Sequence, residues 1–104
     1  MRSQLSIQSA EALKQINIPA EIDAGRKALS DKDYDLAASI AAALVLPTLG
    51  AWTNKRKQAW ATARRYMADY GRCFDYTVKA IAKLKSVEEV LLPYLTIPPK
   101  PQGE

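Results

Sequence analysis

The feature that most constrains this chain is a seven-residue repeat in its second half. Trp60, Met67, Phe74 and Ile81 fall seven apart, and Ala63, Tyr70, Thr77 and Leu84 run beside them at the same period. An a/d pattern held over about four heptads predicts a long helix that buries one seam. From Trp52 to Leu84 it would cover 33 residues, roughly 50 Å at 1.5 Å per residue. That exceeds the diameter of a bundle as small as these shorter helices would make, so the helix either projects or bends. Gly71, at an e position beside the seam, is the expected bending point.

The rest of the chain reads as shorter helices packed on that seam, with pairing of part of the seam to another subunit as the alternative, since the shorter helices cannot cover its whole length. A first helix is expected over about residues 3–16, with Leu5, Ala12, Leu13 and Ile16 on one face. Asn17-Ile18-Pro19 ends it, because a residue before proline avoids the α region. Pro19 suits the first turn of a second helix, and Glu21 and Asp23 favour that end by charge. Its inner face is Ile18, Ile22, Ala28 and Leu29, and Gly25 within it reads as a point of close helix packing or a frayed end. Ser30-Asp31-Lys32-Asp33 resembles a capping box and would open a third helix. Tyr34, Ala37, Ala38, Ala41, Leu44 and Val45 then follow a 3–4 spacing. Its alanines leave little bulk, so a neighbour can approach closely. Pro47 stops it and Thr48 is placed to cap the long helix. Ser86-Val87-Glu88-Glu89 is a capping box for a short piece over about 87–92, which Pro93 ends. Nothing alternates as a strand would. The expected fold is therefore all-α: a small bundle of four to five helices with one long, heptad-patterned helix at about 50–85. One helical domain spans 1–95, and 96–104 form a proline-rich extended tail.

Charge is distributed unevenly along this frame. The net charge of the chain is only +4, yet residues 52–85 hold nine Lys/Arg against Asp69 and Asp75. In a continuous helix Arg65, Arg72 and Lys79 share the f column, opposite the seam, with Lys55, Arg56, Lys57 and Arg64 towards its head. Opposite charges at i,i+4 are few, so like charges repel one another and a polyanion would relieve the repulsion. Lys55-Arg56-Lys57 also occupies the end of a helix where its dipole disfavours positive charge. Trp52, Tyr66 and Tyr76 are interleaved with the basic residues and could stack on a base or ribose. Trp60, in the seam, reads as core.

Several chemistries are excluded or disfavoured. There is no histidine, which removes the commonest general base and zinc ligand and every triad built on imidazole. Cys73 is the sole cysteine; without an activating base it reads as a buried or half-buried structural thiol, and it cannot form an internal disulfide. Asp31, Asp33 and Asp35 lack the glycine and closing glutamate of a calcium loop and read as helix-capping charge. Residues 36–54 carry no formal charge, but Pro47 falls in the middle and alanine dominates, so a buried helix plus a turn is expected rather than a membrane span. The polar start does not read as a signal peptide, and a reducing cytoplasm fits the cysteine usage. No enzyme activity, metal or cofactor is expected.

These observations lead to a non-enzymatic accessory subunit that contacts a DNA or RNA backbone, with weak sequence preference, as part of a larger nucleoprotein complex. Lys55, Arg56, Lys57, Arg64, Arg65, Arg72 and Lys79 would supply the phosphate contacts. In small size, helical pattern and one-sided basic face the chain is similar in general character, with no shared motif, to the small subunits of CRISPR effector complexes. The alternative is a protein–protein adaptor or inhibitor, of the phage or plasmid accessory type, that sets the basic face on an acidic partner.

Overall fold

The boundaries of the first four described helices can be traced to a few side chains. Asn17 opens the first described helix: its Oδ1 accepts from the Ala20 N–H at 3.2 Å, with Pro19 in the first turn. The computed structural model describes residues 12–47, 53–82 and 85–97. Among them run α1 (Ile18–Ser30), α2 (Tyr34–Val45), α3 (Asn54–Ala68), α4 (Phe74–Ile81) and α5 (Lys85–Leu91), followed by a 3-10 turn at Leu92–Tyr94. The fold is all-α, as expected. Of the expected first helix, Ala12 and Leu13 are described and helical and Leu13 is fully buried, but residues 14–16 form a turn and Ile16, expected on the inner face, is exposed. Thr48, Trp52, Leu84 and tail residues 98–104 lie outside the described residues.

Three boundaries differ from the sequence reading, the simplest being that α5 begins at Lys85, so that Ser86, expected to cap it, lies inside the helix. The Ser30–Asp33 stretch closes α1 before it opens α2. Lys32 takes a left-handed conformation (φ 60°), and the Lys32 and Asp33 N–H groups donate back to the carbonyls of Leu29 and Ala28. This is a Schellman closure, after which Asp33 alone caps α2, accepting from the Leu36 N–H at 3.2 Å. The cap of α3 is Thr53, whose Oγ1 accepts from the Arg56 N–H.

The largest difference is the long helix. It is not one element: among the described residues the longest helix, α3, has 15 residues, and the chain turns between residues 69 and 73. Gly71 does more than bend the chain. It adopts φ +66°, a conformation open to glycine and costly to other residues, and a Cβ added there would meet no atom beyond its chain neighbours within 4 Å. Wide backbone bonds from the Tyr70 N–H to the Arg65 carbonyl and from the Arg72 N–H to the Tyr66 carbonyl close α3. Cys73 then opens α4, its Sγ accepting from the Tyr76 N–H, while the Thr77 hydroxyl donates to the Cys73 carbonyl at 2.8 Å.

The seam nevertheless keeps its burial on both sides of the turn. Ala63, Met67, Phe74, Thr77 and Ile81 are buried and Trp60 packs at the edge of the core; Tyr70, expected in the seam, is 58% exposed because it sits in the turn. The element on which the others pack is α2. Ala37, Ala38 and Ala41 are fully buried, and α1, α3 and α4 all lie against it. Small side chains there let three helices crowd one axis.

α4 is locked to α1 by two adjacent residues. The Phe74 ring packs directly on Gly25, where an added Cβ would fall 2.2 Å from ring carbons. Beside it the Asp75 carboxylate accepts from Arg26 Nε at 2.8 Å and Nη2 at 2.5 Å, and from the Thr96 N–H at 2.8 Å. Burial alone would raise the Asp75 carboxyl, but the Arg26 guanidinium and the Thr96 N–H outweigh it and hold the group below its ordinary range.

Two outcomes follow from this lock. Gly25→Ala must displace Phe74 and should cost about 1–3 kcal/mol, the usual penalty for overpacking a core, read as a lower midpoint in urea unfolding. Arg26→Met leaves a carboxylate whose side chain is only 7% exposed without its cation and should cost about 3 kcal/mol at neutral pH. The pH profile separates the lock from simple packing. Because the folded Asp75 pKa is depressed, its contribution is complete above the ordinary carboxylate value of about 3.9 and fades as pH falls below it. In the variant the unpaired carboxyl titrates higher, so the gap to the parent protein should narrow in acid.

Candidate nucleic-acid interface

The seven basic residues singled out by sequence do not share one face. α3 turns Ala63 and Met67 to the core, which places Arg65 outward and Lys55 and Lys57 on the exposed flanks of the same helix. Arg56 points the other way. It is half-buried, its Nη2 donates to the Leu46 carbonyl at 2.9 Å, and burial lowers its pKa from the ordinary guanidinium value. Arg64 is turned towards α2, where its Nε donates to Asp35 Oδ1 at 2.6 Å. Arg72 lies in the turn after α3, and Lys79 is exposed on α4. Arg65, Arg72 and Lys79 thus belong to three successive segments and form no helical column, since the column required an unbroken helix.

The turn brings together something the heptad register had separated. Tyr66 and Tyr70 pack with ring centroids 5.8 Å apart, tilted by 55°. The Arg72 guanidinium sits over the Tyr76 ring, 5.1 Å from its centroid, a cation–π geometry. The Arg72 N–H bond to the Tyr66 carbonyl holds the two pairs on one loop. Arg65, one residue before Tyr66, and Lys79, three after Tyr76, flank them in sequence. Residues 65–79 therefore carry three cations and three partly or largely exposed aromatic rings on one turn and its flanks. The sequence pattern singles out Tyr66, Arg72 and Tyr76 but assigns Tyr70 to the seam. The signal that places it outside is the Asp69-Tyr70-Gly71 run, where a helix-ending glycine directly follows it.

The remaining candidates resolve into structural roles. Asp31 pairs with Lys27 at 3.3 Å, Asp33 caps α2 and Asp35 pairs with Arg64. Trp60 donates its indole N–H to the Asp35 carbonyl at 3.1 Å. Among the described residues no group of three His, Cys, Asp or Glu side chains could hold a metal ion, and no helix is long and apolar enough to cross a membrane. No family model, curated protein or solved structure matches this chain.

Cys73 is exposed, not buried, because it occupies the cap position between turn and helix. A thiol is a weak acceptor there, with Sγ 3.4 Å from the Tyr76 N–H. Cys73→Ser supplies a stronger acceptor of similar shape. It should raise stability by about 0.5–1 kcal/mol, measured by thermal or urea unfolding.

Proposed function

We propose that this chain is a non-enzymatic accessory protein that holds a nucleic-acid backbone at the turn between α3 and α4. The reading rests on one observation: Arg72 stacked on Tyr76 beside the Tyr66–Tyr70 pair, with Tyr70 58% exposed. Rings of this kind give bases a sequence-tolerant surface on which to stack, and flanking cations displace counterions from phosphates. Arg65, Arg72 and Lys79 are the phosphate contacts in this reading, with Lys55 and Lys57 as outlying ones. Arg56 and Arg64 serve the α2–α3 contact. Such a surface grips without reading base edges, which suits a subunit of a larger nucleoprotein assembly.

Labelled single-stranded DNA, duplex DNA and RNA, titrated at about 50 and 200 mM salt, test the reading. Binding should be present at the lower concentration and fall steeply at the higher. Replacing Arg65, Arg72 and Lys79 with Gln should weaken it. The salt slope should become shallower by up to about 0.9 for each phosphate no longer neutralised on duplex, and by about 0.7 on single strands. Tyr70→Ala should weaken single-strand binding by roughly tenfold. No binding of any nucleic acid at low salt sinks the reading.

A further inference from the structure

We propose that the α3–α4 corner selects unpaired nucleic acid and discriminates against duplex, an inference that rests on reading this corner as a nucleic-acid surface. What decides it is the balance between charge and rings. Duplex DNA carries one negative charge per about 1.7 Å of axis, against one per about 3.4 Å along a single strand. A surface that works through cations alone therefore favours duplex, and it needs many of them. Residues 65–79 are poorly equipped for that. They hold Arg65, Arg72 and Lys79 against Asp69 and Asp75, three cations against two carboxylates. Asp75 is turned inward to Arg26, but Asp69 is exposed at the end of α3, where it opposes a dense phosphate array. The Arg72 guanidinium is already held on the Tyr76 ring.

The rings are better placed. Residues 69–73 are all exposed, and Tyr70 stands out of the core with 58% of its surface open. Tyr66 meets it at a 55° tilt, with centroids 5.8 Å apart, so it braces the Tyr70 ring without lying flat on it. The Arg72 N–H bond to the Tyr66 carbonyl ties this pair to the Arg72–Tyr76 pair. A base stacks on a protein ring only if one of its own faces is free. Inside a duplex both faces are covered by neighbouring base pairs, so the rings reach only the ends. In an unpaired strand each base has a face to offer, and one stacked base raises affinity by roughly tenfold. The corner therefore gains from its rings only with an unpaired strand, while its small excess of charge gives duplex little hold.

The test uses the full chain with a labelled oligothymidylate, which has no secondary structure of its own, and with the duplex it forms with oligodeoxyadenylate. Affinities are read by fluorescence anisotropy at about 50 mM salt. The single strand should bind roughly tenfold more tightly than the duplex. Tyr70→Ala should remove most of that advantage by weakening the single strand, whereas Tyr70→Phe should keep it, because the ring face and not the hydroxyl does the stacking. Circular dichroism checks that both variants stay helical; should Tyr70→Ala fail to fold, Tyr70→Phe and the comparison of the two probes decide alone. The inference is overturned, and the reading of the surface stands, if duplex binds as tightly as the single strand, if Tyr70→Ala weakens both probes by the same factor, or if Tyr70→Phe loses the preference. If neither probe binds, both fall together.

Discussion

The Asp75 carboxylate is the joint on which this architecture depends. It is the most deeply buried charged group among the described residues, and it is tolerable there because a forked guanidinium and a backbone N–H supply its hydrogen bonds. Those three bonds join segments far apart in sequence: Arg26 on α1, Asp75 on α4 and Thr96 beyond the last turn. Phe74 on Gly25 adds shape to the same contact. Ring and ion pair complement each other, since apolar packing has little directional preference whereas the ion pair specifies which turn of α4 faces which turn of α1.

That joint explains why the long helix cannot exist. A continuous helix of 33 residues would run roughly 50 Å, while the largest dimension of the fold is 37 Å. Only by reversing after Ala68 can the chain bring Phe74 and Asp75 back against α1 while α3 stays on α2. The reversal needs a residue that accepts positive φ, and Gly71 supplies it at φ +66°. α2 then provides a surface narrow enough for α1, α3 and α4 to share. Its alanines contribute little apolar area each; their value lies in how closely they let the other helices approach.

Much of this is legible in the sequence, and the exceptions have physical causes. Hydrophobic period reports burial, not continuity. Met67 and Phe74 are seven apart and both buried, so the pattern passes through a turn that happens to preserve the phase of the seam. Only Gly71 signals the break, and a glycine at that spacing is equally compatible with a bend. Caps can be placed to within a few residues, because an Asp, Ser or Thr marks a helix end whether it closes one helix or opens the next. Asp31 and Asp33 do one of each. Pairing across distance cannot be read at all. Nothing in the spacing of Arg26 and Asp75, or of Asp35 and Arg64, distinguishes them from other charged residues on exposed faces.

The same limit governs the basic face. Sequence counts charges; the fold decides which of them are free to act on something else. By charge alone Arg56, Arg64 and Arg65 are equivalent, but in the unbroken register Arg56 falls in the column of Ala63 and Arg64 beside the seam; the first turns under α2, the second bridges to Asp35 and the third stands in solvent. The turn that disperses the expected column also assembles the aromatic and cationic cluster at its corner, since it carries Tyr70 out of the seam and seats Arg72 on Tyr76. The reversal that brings Phe74 and Asp75 back to α1 therefore also creates the exposed corner on which the proposed function rests.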